Sequence, residues 1–82
     1  MASKNSADSV TIGTWVKVLE DATGEAEVFH IVENRETDYL ENKISPDNPV
    51  GRALLGSKPG EKITIDGPNG SVKFSVLEVG RR

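Results

Sequence analysis

The sequence predicts an α+β domain: a mainly antiparallel sheet of about four to six strands with one short helix on one face. Three observations lead there. Short β-branched and aromatic runs, broken by Gly, Asp and Pro, fill the first half and the end of the chain. Between them lies a single helix signal, Asn48-Pro49, then an apolar stripe, then Gly56. The chain has 82 residues, 35% of them apolar, which suffices for one modest core and no second domain.

Residues 1–9 are small and polar and read as a disordered tail or the scar of a truncation. The domain proper is expected over residues 10–80. Val10-Thr11-Ile12 is a short strand candidate ended by Gly13, and Trp15 to Leu19 is a second. Asp21-Ala22-Thr23-Gly24 supplies turn chemistry. The return strand runs from Glu25 to Glu33. Phe29 and Ile31 face one way, and Val28, His30 and Val32 the other. With apolar residues on both faces it reads as a central strand. Asn34 to Lys43 reads as a surface excursion that returns near Ile44, with Tyr39 and Leu40 as its anchors.

The helix follows from its caps. Asn48 can accept from an orphan backbone N–H, and Pro49 fits the first helical position, where no donor is needed. Val50, Ala53 and Leu54 lie at i, i+3 and i+4, and Gly56 suits a left-handed residue after the last turn. A helix this short must rest on the sheet. Lys58-Pro59-Gly60-Glu61 is a turn, and Ile63 and Ile65 alternate with polar neighbours. Asp66-Gly67-Pro68-Asn69-Gly70 then marks a hairpin. Val72, Phe74 and Val76 form the inner set of the last strand. Leu77 and Val79 continue with opposite parity, which predicts a bulge near Val76-Leu77.

Composition excludes several functions. Lys plus Arg is 10 against 13 Asp plus Glu, a net charge of −3, so a basic nucleic-acid footprint is absent. Without Cys there is no disulfide and no thiolate chemistry, and His30 alone cannot make an ordinary zinc site. No metal and no cofactor are expected. Glu25, Glu27, Glu33, Glu36, Asp38 and Glu41 lie along a hairpin and a loop. A solvated edge explains them better than a catalytic carboxylate pair. There is no nucleophile elbow around a Ser, and the glycines between Gly51 and Gly60 lack Walker spacing. Trp15, Phe29, Tyr39 and Phe74 are needed for the core before any base stacking. No apolar run approaches the roughly 18 residues of a membrane span, and the first residues lack an apolar signal core. A cytoplasmic protein that is not an enzyme is the expectation. The charged hairpin edges favour a monomer. Asp47-Asn48-Pro49 is the best surface candidate, because a rigid helix start presents a carboxylate and an apolar ring at a fixed angle. Starting the helix is the plainer role, and the two are compatible.

Ile44-Ser45-Pro46-Asp47-Asn48-Pro49-Val50-Gly51-Arg52-Ala53-Leu54-Leu55-Gly56, followed by Gly60-Glu61, resembles the signature of the GreA/GreB transcription elongation factors. The flanks resemble it too: Val10 to Val18, Gly24-Glu25 with Val28 to Val32, Pro68-Asn69-Gly70, and Phe74 to Val79. The resemblance covers most of the chain and keeps order and spacing. It implies the family's C-terminal, FKBP-like domain. It also implies docking on RNA polymerase at the rim of the secondary channel, on the coiled coil of the largest subunit. The family's Asp-Ser-Pro loop makes that contact, and its counterparts here are Asp47, Asn48 and Pro49, with Asn in place of the usual Ser. Family members also carry an N-terminal coiled coil whose acidic tip assists transcript cleavage. Nothing in this sequence could form it, so anchoring without cleavage stimulation is implied. The regulator of nucleoside diphosphate kinase shares the domain and its Pro-aliphatic-Gly helix start, and Gly51 leaves that relative open. An FKBP-type prolyl isomerase is a further alternative. It would need a deep aromatic pocket that four spread aromatics do not promise.

Overall fold

The computed structural model describes residues 8–81. The tail expected over residues 1–9 therefore lies outside the described residues up to residue 7. Five strands form one sheet in the order β3-β2-β1-β5-β4. They are β1 (Thr14–Glu20), β2 (Ala26–Ile31), β3 (Lys43–Ile44), β4 (Lys62–Gly67) and β5 (Gly70–Arg81), and helix α1 spans Pro49–Leu54. All pairings are antiparallel except β2 with β3. The α+β class read from the sequence is the one observed.

The core follows from side-chain alternation. On β1, Val16 and Val18 are buried on the inner face, across from Phe29 of β2 and from Val79 and Val76 of β5. Ile31, Ile44 and Leu54 join them. Burying each such aliphatic side chain stabilises the fold by about 1.5–3 kcal/mol. Along β5 the pairing with β1 shifts by one residue, from Lys17 opposite Glu78 to Val18 opposite Val76. Leu77 is the extra residue and projects outward. The bulge expected from parity is present, and it lets Val76 and Val79 share the inner face.

Three expectations need correction. Val10-Thr11-Ile12 is not a strand. Val10 is fully buried, but its N–H donates to the Ser57 carbonyl at 2.9 Å and its own carbonyl accepts from the Gly56 N–H at 2.8 Å. It clips the turn after the helix instead of joining the sheet. The Thr14 hydroxyl then donates to the Thr11 carbonyl at 2.7 Å and turns the chain into β1, leaving Ile12 exposed. Second, the middle of the sheet is β1, not β2. The outer side of β2 is covered only where His30 and Ile31 meet β3, and Val28 stays exposed. Third, Tyr39 and Leu40 do not anchor their excursion. They lie in a 3-10 turn and are 66% and 98% exposed. Polar contacts hold the segment instead. The Asp38 side chain accepts from the Leu40 N–H at 3.1 Å, and the Asn42 amide donates to the Val28 carbonyl at 3.1 Å.

On the outer face Asp21 ties the first turn to both late strands. The Ser75 hydroxyl donates to its carboxylate at 2.8 Å, and the Lys62 ammonium stands 3.5 Å away. The Ser75 hydroxyl, with the Lys62 charge beside it, holds the Asp21 carboxyl below the usual carboxylate range. A depressed folded-state pKa contributes stability that is present above the ordinary range and lost as pH falls below it. The stability gap between this chain and Asp21→Asn should therefore narrow as pH drops through the acid range. Urea unfolding at stepped pH values checks this, and a gap that widens toward acid contradicts it.

Candidate functional site

The segment from Ser45 to Gly51 is set by backbone groups that find partners where β3 ends. Ser45 is buried. Its hydroxyl donates to the Asn34 side-chain oxygen at 3.1 Å and accepts from the Asp47 N–H at 3.3 Å. Its carbonyl accepts from the Asn48 N–H at 3.0 Å. One buried residue thus shapes the loop from both its side chain and its main chain.

Asn48 closes the loop into the helix. It is extended, at φ −76° and ψ 136°, and its side-chain oxygen accepts from the Val50 N–H at 2.8 Å. Its carbonyl accepts from the Arg52 N–H at 2.8 Å. Asn48 is therefore the N-cap and Pro49 the first helical residue, as the sequence predicts. Leu54 is buried, Val50 packs on the core, and Gly56 takes the left-handed conformation at φ 84°. Asp47 and Pro49 are left exposed, on either side of the half-buried cap.

Sequence reasoning singled out Asp47, Asn48 and Pro49, and they form one contiguous turn. It missed the two residues behind them. Gly51 is buried, and a Cβ there would overlap the Ser45 carbonyl oxygen. The missed signal is the small residue itself, two positions inside a short helix, where glycine costs about 1 kcal/mol in propensity. The Asn34 contact joins residues eleven apart and has no local sequence signal.

Other candidates do not converge. Phe29 and Phe74 pack on the inner core, while Trp15 lies on the outer face beside Lys17, Val28, His30 and Glu78, so no aromatic pocket forms. Trp15 instead lies against Gly80, where any Cβ would overlap the indole ring. Glu20, Glu25 and Glu27 border Phe74 at the open end of the sheet. Among the described residues no three His, Asp or Glu side chains are grouped to hold a metal. Nor is any helix there long and apolar enough to cross a membrane.

A curled sheet that buries one short helix behind a capped Asp-Asn-Pro turn matches a known class of domain. The family model described as transcription elongation factor, GreA/GreB, C-term, matches residues 4–81. The chain belongs to the GreA/GreB family, as its C-terminal domain. It is 43% identical over 74 residues to transcription elongation factor GreA of Caldanaerobacter subterraneus subsp. tengcongensis, covering 90% of this chain and 47% of that protein. Against GreA of Clostridium novyi it is 46% identical over 77 residues, covering 94% and 48%. It superposes on Gfh1 of Thermus aquaticus with a TM-score of 0.80 at 32% identity, covering 98% of this chain and 52% of that one. On the elongation factor GreA/GreB of Nitrosomonas europaea the TM-score is 0.75 at 30% identity, covering 89% and 61%. The chain thus spans about half the length of the curated relatives it matches.

The loop's two supports should separate in mutagenesis. Asn48→Ala should cost about 1 kcal/mol of stability and Asn48→Ser much less, because Ser also caps. Gly51→Ala should cost about 1–3 kcal/mol despite its better helix propensity, since the Ser45 backbone cannot rotate aside. Urea midpoints of the three variants check both. A neutral Gly51→Ala would contradict the close contact.

Proposed function

We propose that this domain docks on RNA polymerase through the turn at Asp47, Asn48 and Pro49. The docking point is the coiled coil of the polymerase's largest subunit, at the rim of the secondary channel. The observation that carries this reading is the split of labour in the turn. Asn48 spends its side chain on the Val50 N–H, and Ser45 behind it is buried and bonded on both its polar atoms. Asp47 and Pro49 remain exposed on a backbone held by these bonds. A turn whose backbone is already held loses little entropy on binding, and a protein surface is the partner that rewards a carboxylate beside an apolar ring. The net charge of −3 speaks against nucleic acid as the direct ligand.

The family supports the polymerase as partner, since its members are transcription elongation factors. On this reading the domain works by binding and not by catalysis, and it works in the cytoplasm, where the polymerase is. The described residues supply an anchor. Their one α-helix is six residues long, so by themselves they anchor without stimulating transcript cleavage.

The double variant Asp47→Ala with Pro49→Ala tests the site. Neither side chain makes the capping hydrogen bond, so the domain should stay folded, with a loss of at most about 1 kcal/mol from the missing proline ring. Affinity for core polymerase, measured by pull-down or fluorescence anisotropy, should fall by roughly tenfold or more, about 1.4 kcal/mol per tenfold. Unchanged binding by the folded double variant would refute the site.

A further inference from the structure

Residues 33–49 hold five acids and two bases. That excess equals the whole chain's net charge of −3, so the rest of the chain is balanced. The same stretch carries the excursion from Asn34 to Asn42, strand β3 and the turn at Asp47 to Pro49. One edge of the sheet therefore holds the charge asymmetry of the protein. Its two bases are spent locally. Arg35 stands 3.0 Å from Glu33, and Lys43 stands 3.8 Å from Glu41. Among the described residues Glu36 and Asp47 have no ion-pair partner, and both are exposed.

Leu40 lies within this acidic stretch, 98% exposed, with Tyr39 beside it. A lone exposed leucine means little, because much of any protein surface is apolar. Leu40 differs in degree. Ile12, Val28, Leu55 and Leu77 are 39–52% exposed, so each is about half covered by its neighbours. Nothing covers Leu40, yet its backbone is held. The Glu41 N–H donates to the Asp38 carbonyl at 3.1 Å and the Asn42 N–H to the Tyr39 carbonyl at 3.2 Å. Asn42 takes the left-handed conformation at φ 55°, which is uncommon for a residue with a Cβ. With the Asp38 and Asn42 side-chain bonds, these contacts fix a turn that holds an apolar side chain out into water.

This turn and the docking turn both hang on β3. At the start of the strand Asp38 and Lys43 exchange N–H to carbonyl bonds at 2.9 Å in both directions. At its end the Ser45 hydroxyl joins Asn34, at the base of the excursion, to the Asp47 N–H. Leu40 and Asp47 are seven positions apart, a span of at most about 25 Å. Two α-helices side by side are roughly 20 Å across. One helical pair is thus wide enough to meet both turns.

We propose that the polymerase contact extends along this edge: Leu40, with Tyr39, is an apolar anchor within an acidic surface that includes Glu36 and Asp47. Its partner is an apolar patch flanked by Lys or Arg side chains on the same helical pair. This rests on the docking proposed above and adds the chemistry of the surface that is met. A protruding apolar side chain that becomes fully covered carries affinity, while charges around it steer the approach and fix register. Because the rest of the chain is balanced, the field of this edge orients the domain toward a basic surface.

Fluorescence anisotropy of the labelled chain titrated with core polymerase tests this. Leu40→Ser should keep the unfolding midpoint of the parent chain, since nothing packs on the leucine, and should bind roughly tenfold more weakly. Leu40→Met, of similar volume, should bind nearly as the parent does. Glu36→Lys should weaken binding at low salt and lose that effect at about 0.5 M salt. Glu25→Lys makes the same change in net charge just before β2, at the end away from its pairing with β3, and should bind as the parent does. Parent-like binding by Leu40→Ser would overturn the anchor, as would a loss in Leu40→Met equal to that in Leu40→Ser. Glu25→Lys as harmful as Glu36→Lys would overturn the acidic edge. The docking turn is judged separately. If Asp47→Ala with Pro49→Ala loses affinity while Leu40→Ser and Glu36→Lys do not, the turn stands and the extended edge fails. The reverse pattern upholds the edge and refutes the turn.

Discussion

The approach of Gly51 to the Ser45 carbonyl is the contact on which the rest of the domain turns. It brings the first turn of the helix onto the backbone that leaves β3, closer than any side chain would allow. The helix is six residues long and could not persist in water alone. Its position is therefore set by contact, with Leu54 and Val50 driven into the sheet and Gly51 against the loop. Val10 closes the other end by bonding to both Gly56 and Ser57. The helix is held at its start by a missing side chain and at its end by a fully buried valine.

The sheet has its own adjustments to receive that helix. The extra residue at Leu77 lets Val76 and Val79 both face inward. Such a bulge increases local twist, which suits a sheet that must curl around a short element. On the outer face the indole of Trp15 occupies the space a side chain at Gly80 would need. The two faces of β5 thus solve opposite problems within three residues, one by adding a residue and the other by omitting a side chain. Asp21, bonded to Ser75 and close to Lys62, secures the first turn to β5 and β4.

Much of this was legible in the sequence where the information is local. The Asn48 cap, Pro49, the Gly56 terminator and the parity break at Leu77 each rest on a rule that spans a few residues, and each is found in place. The candidate turn was legible for the same reason. Non-local choices were not. Val10 to Ile12 has strand-like composition, but whether it joins a sheet depends on whether an edge is open to it. Its hydrogen bonds went to the turn after the helix instead. β2 has apolar residues on both sides, yet β3 covers it over two residues only. Tyr39 and Leu40 show the limit of reading hydrophobicity as burial. With the excursion fixed by Asp38 and Asn42, no packing surface reaches them.

Asn48, where the resemblance implies a Ser, bears on the proposed docking through the same geometry. Ser and Asn cap helices about equally well, through a side-chain oxygen aimed back at the helix. Here that oxygen is engaged with the Val50 N–H. What the turn presents outward is Asp47 and Pro49, the two exposed members of the proposed contact. Asn48 is the inward-facing member of the three and makes the cap, while the outward pair takes no part in it. A docking turn built this way tolerates exchange among capping residues at its centre and is sensitive on its flanks. The surface proposed for recognition and the cap that holds the helix are then carried by different side chains.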